Sequence, residues 1–146
     1  MSQSLPPRPA THADAPALCR LMAQLGYAAA LTEFVPRVVR ILDNPMHAIW
    51  VAERDGMVIG LAHVARIPAL DASNSAELFA LIVDEAHRGA GAGARLLAAS
   101  EQWASAASCD RMVVRSNIVR TRTPTFYEQR GYKRTKTQLY FRKPLK

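Results

Sequence analysis

The chain has 146 residues, 49% of them hydrophobic, so we expect residues 1–146 to form one domain with its own core. It lacks an apolar run of about 18 residues, and its proline-containing start lacks a secretory signal, which argues against a membrane span or export. Cys19 and Cys109 are too few and too far apart for a disulfide framework or a metal motif, so we expect a cytoplasmic protein without metal. The net charge is +7, with +10 between Arg111 and Lys146, and such a region suits a phosphate-rich coenzyme or nucleic acid.

The first half of the chain predicts two helices followed by a β-hairpin. A short edge strand at 8–11 precedes a helix that ends at Gly26, and a second helix stops at Asn44-Pro45. The hydrophobic period then changes, and two strands are predicted at 47–53 and 57–66. They are joined by Asp55-Gly56, which is a strong hairpin signal.

The second half alternates between strands and helices. The elements predicted there are a buried strand at 76–83, a long helix to about Ala107, a strand at 111–115, a helix ended by Gly131, and one or two closing strands between Tyr132 and Lys143. The order is therefore β-α-α-β-β-β-α-β-α-β. It predicts an α/β fold with a mixed central sheet and helices on both faces.

A glycine-rich segment lies where the central strand turns into the long helix. Gly89, Gly91 and Gly93 lack Cβ, so a ligand can approach the backbone, and the unpaired N–H groups of the helix start favour a phosphate there. Arg88 adds a positive charge. The segment fits neither the Walker pattern, because no Lys follows Gly93, nor the dinucleotide pattern, because Leu96 occupies its third glycine position.

Two motifs in this order resemble those of the GNAT superfamily of acetyl-CoA-dependent N-acetyltransferases. The first is Arg88-x-x-Gly91-x-Gly93 after the central strand. The second is Arg120-x-x-Thr123-Pro124-x-Phe126-Tyr127-Glu128-x-x-Gly131-Tyr132, which begins 32 residues after Arg88. Thr123 and Pro124 stand where the superfamily more often has Ala and His. The predicted element order matches the GNAT fold along essentially the whole chain.

The resemblance implies a coenzyme site for acetyl-CoA. Backbone groups of the central strand would pair with the pantetheine arm, and the residues implied are Leu81, Ile82 and Val83. The glycine-rich loop would hold the pyrophosphate, and its residues are Arg88, Gly89, Ala90, Gly91, Ala92, Gly93 and Ala94. Arg120 or Asn117 would add a hydrogen bond to the coenzyme.

The resemblance also implies direct transfer of the acetyl group to a primary amine. Tyr127 matches the general acid that protonates the leaving thiolate, and its alternative role is that of a packed core aromatic. Glu77 is the candidate base for the acceptor amine, with a plain rim carboxylate as the alternative. His63, on the neighbouring predicted strand, is a second candidate base.

The acceptor is not specified by any motif. The overall pattern favours a small-molecule amine, for which Glu33, Asp71 and Glu77 could supply carboxylates. Three alternatives stay open: a protein N-acetyltransferase, a module that senses acetyl-CoA without turnover, and an RNA-binding module, with transfer of a longer acyl group as a further variant. Nucleic acid is the less favoured partner because aromatic residues are not interleaved in the basic region. Dimers are common in the superfamily, so a homodimer is also left open.

Overall fold

The computed structural model describes residues 5–71, 74–116 and 123–146. Its strands and helices follow the predicted order up to the last helix. In chain order they are β1 (Arg8–Pro9), α1 (Ala15–Gln24), α2 (Leu31–Leu42), β2 (His47–Arg54), β3 (Met57–Ile67), β4 (Ser75–Val83), α3 (Ala92–Ala106), β5 (Arg111–Val114) and α4 (Thr123–Glu128). Within the described ranges, none of the helices has the length and hydropathy needed to cross a membrane.

The five strands form one mixed sheet in the order of the chain. β1 to β4 pair antiparallel with their neighbours, and β5 lies parallel to β4. The turn between β2 and β3 has Asp55 at φ 52° and Gly56 at φ 77°, which is the left-handed backbone that a two-residue hairpin requires. The α/β fold with a mixed sheet is therefore confirmed.

The helices of the first 114 residues cover both faces of this sheet. Leu61 on β3 belongs to a buried cluster with Leu18 and Leu21 of α1, whereas a Cβ on the preceding Gly60 would lie 3.0 Å from Leu96 Cδ1 of α3. Because successive strand residues point to opposite faces, α1 and α3 lie on opposite sides of the sheet. The core cluster on the α1 side also includes Val38 of α2.

β4 is paired on both sides along only part of its length. β5 pairs with it from Ser75 to Leu78, where the opposite residue is Val114, the last residue of β5. Among the described residues of the sheet, the segment from Phe79 to Val83 therefore has a strand partner on the β3 side and an open edge on the other.

A β-bulge lies at the point where this open edge begins. His63 pairs with Ala80 and Val64 pairs with Leu78, so Phe79 is an extra residue on β4. A bulge of this kind bends the strand and changes the direction of a side chain. The bulge therefore separates the half of β4 that is paired with β5 from the half that is not.

The chain divides into two compact units, Met1–Val114 and Arg115–Lys146. The second unit contains α4, which is followed by a turn with Gly131 at φ 91°. The expectation of closing strands between Tyr132 and Lys143 is wrong for this structure, in which these residues form neither helix nor strand. A strand needs a neighbour to complete its hydrogen bonds, and the described part of the second unit contains α4 and no strand.

Candidate functional site

The corner between β4 and α3 presents unpaired backbone donors. Gly89 and Gly91 adopt φ values of 88° and 85°, which only glycine takes without strain. The helix begins immediately after Gly91, and the N–H of Arg95 donates to Gly91 O at 3.1 Å. The N–H groups of residues 92–94 consequently have no partner within the helix. Together with the helix dipole they form a site that suits a phosphate.

Gly93 differs from the other two glycines of the loop. It lies in the first turn of α3, where the backbone is helical and no positive φ is required. Its lack of a Cβ leaves room for close approach, but its conformation would be available to any residue.

The open edge of β4 exposes backbone groups at alternate residues. The N–H of Asp84 donates to Ile59 O at 2.7 Å, which places Val83 in a pair that is not hydrogen-bonded to β3. The backbone N–H and C=O groups of Val83 and, two residues earlier, Leu81 therefore point to the open side. Those of Ile82 point towards β3. An extended arm carrying amides could add to this edge as a strand does, through Leu81 and Val83.

The Arg88 side chain occupies part of this open edge. Its Nε donates to Val83 O at 3.0 Å, in an exposed position. An arm that bonds to the Val83 carbonyl would therefore share this acceptor with the guanidinium of Arg88 or displace it.

α1 anchors the end of β4 from the other side. The Arg20 guanidinium donates to Asp84 Oδ2 at 3.1 Å and to Val58 O at 2.8 Å, and Gln24 Nε2 donates to Asp84 Oδ1 at 3.3 Å. The Ala86 N–H also donates to Asp84, and this bond, with those from Gln24 and Arg20, holds the pKa of Asp84 below its usual range. Asp84 shapes the turn, and it also ties the loop to α1.

Arg95 supports the glycine-rich loop. Its Nη1 donates to Ala90 O at 3.3 Å, and a Cβ on Gly91 would approach the same atom to 3.2 Å. The cation therefore lies directly beside the left-handed backbone that precedes α3.

On the α1 face of the sheet, three aromatic rings come together beside Glu77. Ring centroids are 5.2 Å apart for His47 and His63, and 5.1 Å for His63 and Phe79. Glu77 pairs with Ala65, which lies two residues from His63 along β3, so Glu77 and His63 share this face. The two candidate bases thus lie near each other, at the start of the open edge.

The two histidines form one hydrogen-bonded pair. His47 Nδ1 and His63 Nε2 are 2.9 Å apart, so one of these nitrogens donates and the other accepts. Burial, and to a lesser extent the neighbouring His47, lower the pKa of His63 from 6.5 to about 4. His63 is therefore neutral at neutral pH.

Tyr127, the candidate acid, lies in the second unit. Its ring makes edge-to-face contacts with Phe126 at 5.1 Å and with Tyr132 at 5.5 Å, and it is half-buried. Phe126 and Tyr132 thus pack against Tyr127. Arg120 and Asn117, the predicted side-chain partners of the coenzyme, lie outside the described residues.

A cavity of about 730 Å³ lies at the β2 side of the sheet, and His47, Trp50 and Trp103 are among its lining residues. This side lies across β3 from the open edge of β4. In the described part of the chain, no three His, Cys, Asp or Glu residues are grouped as a metal ion requires.

Sequence reasoning missed four residues that shape this site: Arg20, Gln24, His47 and Phe79. Arg20 lies 64 residues from Asp84, and no local pattern links them. His47 could have been found from the hairpin register, which is centred on Asp55-Gly56 and brings His47 near His63. The register between β3 and β4 depends on the bulge, so the sequence carried no comparable signal for Phe79.

Residues 15–132 of the chain match the model of a family described as the acetyltransferase (GNAT) family. A mouse protein, "Probable N-acetyltransferase family 8 member 5", is 30% identical over 101 residues, which cover 67% of this chain and 44% of that protein. The chain therefore spans less than half the length of this curated relative.

Solved structures share the fold. The aminoglycoside N-acetyltransferase AAC(6')-Iy, in complex with CoA, matches with a TM-score of 0.88 and 21% identity, over 98% of this chain and 96% of that one. A protein described as a transcriptional regulator from Bacillus halodurans C-125 matches with a TM-score of 0.87 and 21% identity, over 96% and 99% of the two chains.

Proposed function

The chain belongs to the acetyltransferase (GNAT) family, and we propose that it transfers an acetyl group from acetyl-CoA to a primary amine of a small molecule. The observation that carries this proposal is the open edge of β4, which leads directly into a corner of unpaired backbone donors at the start of α3. One extended ligand with amides along an arm and a diphosphate at its end would use both features.

The coenzyme would be held mainly by the main chain. Leu81 and Val83 would bond to the pantetheine amides, and Ile82 would keep the strand in place through β3. The pyrophosphate would accept hydrogen bonds from the loop between Arg88 and Ala94. Arg88 would leave the Val83 carbonyl and turn towards the phosphates, which gain a charge-assisted bond.

The reaction would proceed by direct attack within a ternary complex. A primary ammonium has a pKa near 10.4, so it must lose a proton before its nitrogen can attack the thioester carbon. Glu77 would accept that proton, directly or through water. The C–S bond breaks as the C–N bond forms, and the acetylated nitrogen then releases its second proton to solvent. The leaving thiolate would take a proton from Tyr127, whose hydroxyl is then restored from solvent.

The comparisons support acetyl-CoA as the acetyl donor more strongly than they support a small-molecule amine as the acetyl acceptor. AAC(6')-Iy is described as an aminoglycoside N-acetyltransferase in complex with CoA, and the mouse relative as an N-acetyltransferase. The family match runs across both compact units, which supports the proposal that residues 1–146 form one acetyltransferase domain. We propose acetyl-CoA as cosubstrate, and leave open a homodimer and transfer to protein amines.

The test is an assay of the purified protein with acetyl-CoA and a panel of small primary amines. Release of free thiol and a mass gain of one acetyl group on the amine are measured together. We expect both signals in equal amounts, and neither in a Gly91→Val variant, whose side chain would meet Arg95 and force a left-handed backbone on Val. Acetyl-CoA binding without any acetylated amine would instead favour a sensing module.

A further inference from the structure

The Phe79 ring is held by the two histidines behind it. The rings of His47 and His63 are stacked with an interplanar angle of 27°, and the Phe79 ring is tilted by 30° against that of His63. The histidines are fixed to each other by their 2.9 Å hydrogen bond. Because each ring comes from a different strand, the orientation of Phe79 is set by the sheet and not by a loop.

Phe79 also presents free surface. It is 47% exposed, although its neighbours along β4, Leu78 and Ala80, are buried. Leu78 shares a face with Val64, on the α3 side, and the bulge turns Phe79 to the other face. A half-exposed aromatic ring that is backed by two other rings is suited to stack on the apolar part of a ligand.

The bulge sets this ring beside a carboxylate. Glu77 and Phe79 are two residues apart on the same strand, about 7 Å along its axis, and both project on the α1 face. In the described parts of β2, β3 and β4, Glu77 is the carboxylate next to the ring cluster. His63 is uncharged at neutral pH, so its ring does not repel a cation.

The ring lies where the reacting group of the coenzyme would arrive. The open edge runs from Val83, beside the phosphate corner, to Phe79, a distance of about 13 Å along the strand. Beyond Phe79 the edge is closed by β5. An arm that starts at the corner and follows the edge therefore ends at the ring and at Glu77.

We propose that Phe79, backed by His47 and His63, is a specificity-determining residue that selects monoamines whose ammonium group is joined to a flat apolar body. This inference rests on the proposed acetyl transfer and names its acceptor class. Glu77 receives the single ammonium, and the body stacks on Phe79. A polycationic aminoglycoside would need further carboxylates beside the first, and the described residues of β2, β3 and β4 do not supply them near the rings.

The test compares three probes with acetyl-CoA at saturation: phenethylamine, hexylamine and kanamycin. We expect kcat/KM for phenethylamine to exceed that for hexylamine about three- to tenfold, as ring stacking permits, and kanamycin to be the poorest. Phe79→Leu should bring the phenethylamine-to-hexylamine ratio close to one, and Phe79→Tyr, which keeps the ring, should preserve it. The KM for acetyl-CoA should stay the same in both variants.

A ratio that Phe79→Leu leaves unchanged, or a preference for kanamycin, would overturn the inference while acetyl transfer itself stands. A second measurement follows the imidazole C–H signals of His47 and His63 by NMR as phenethylamine is added to the protein saturated with CoA. Saturable shifts that are absent in Phe79→Leu would support the amine site. If no amine were acetylated in that case, the proposed acetyl transfer would be wrong while the site itself would stand. Absence of shifts in the wild type contradicts the inference.

Discussion

Gly60 offers the sharpest test of how β3, β4 and α3 are packed. A Cβ at this position would lie 3.0 Å from Leu96 Cδ1, 3.1 Å from Ile82 O and 3.5 Å from Val83 Cγ2. The Leu96 methyl can rotate away, but the Ile82 carbonyl belongs to the backbone of the buried ladder and cannot. Gly60→Ala should therefore destabilise the protein as an overpacked core does, by about 2 kcal/mol.

For a chain of this size, about 2 kcal/mol corresponds to a fall in Tm of about 4–8 °C. Thermal and urea unfolding followed by circular dichroism would measure the loss. The same change should weaken coenzyme binding, because a shift of β4 at Ile82 would also move Val83, whose backbone groups point to the open edge. Leu96→Val is the matched partner: it shortens the Leu96 side chain, so the double variant should lose less stability than the sum of the single variants.

An unfolding free energy of Gly60→Ala within about 0.5 kcal/mol of the wild type would refute this account, because so small a change is typical of exposed positions and not of a tightly packed one. It would mean that α3 and β4 lie further from β3 than the structure has them.

Three further predictions concern the chemistry and the pH response. Tyr127→Phe should lower turnover about a hundredfold or more with coenzyme affinity unchanged, and equal turnover in a steady-state assay would remove Tyr127 from the mechanism. Arg88→Ala should weaken the binding of acetyl-CoA but improve kcat/KM for acetyl-pantetheine about threefold, because acetyl-pantetheine lacks the phosphates and can bond to the freed Val83 carbonyl. If the variant changed both substrates in the same direction, the displacement of Arg88 would be contradicted. His63 binds its proton more weakly when folded, with a pKa of about 4 against 6.5, so its stabilising contribution is complete above pH 6.5 and is lost as the pH falls to 4. The loss of unfolding free energy amounts to about 3 kcal/mol and should be smaller in His63→Gln. If the unfolding free energy of this variant fell with pH as steeply as that of the wild type, a buried neutral His63 would be contradicted.

The elements that the sequence predicted well are those governed by local chemistry. The hairpin follows from Asp55-Gly56, whose left-handed backbone is set by the two residues themselves. The ends of α1 and α4 follow from Gly26 and Gly131, both with positive φ. The corner at Gly91 is also determined by local sequence, because the apolar strand, the glycines and the helical pattern that form it follow one another directly in the chain.

The features that sequence reasoning missed depend on partners far away along the chain. The closing strands failed because alternation alone does not provide a neighbouring strand, and strand propensity depends strongly on context. The bulge at Phe79 is a mismatch between two registers, which neither strand encodes alone. The roles of Arg20 and His47 required knowledge of which elements are adjacent. The assignment of Leu81 and Val83, but not Ile82, to the open edge likewise required the hydrogen-bond ladder.

The most direct test of the central claim is calorimetric titration of the folded protein with coenzyme A. The account predicts saturable binding of one coenzyme per chain well below millimolar concentration. It also predicts loss of that binding in Gly91→Val, with the circular dichroism spectrum of the wild type retained. No binding heat at millimolar coenzyme A, from wild-type protein shown to be folded and at more than one temperature, would contradict it.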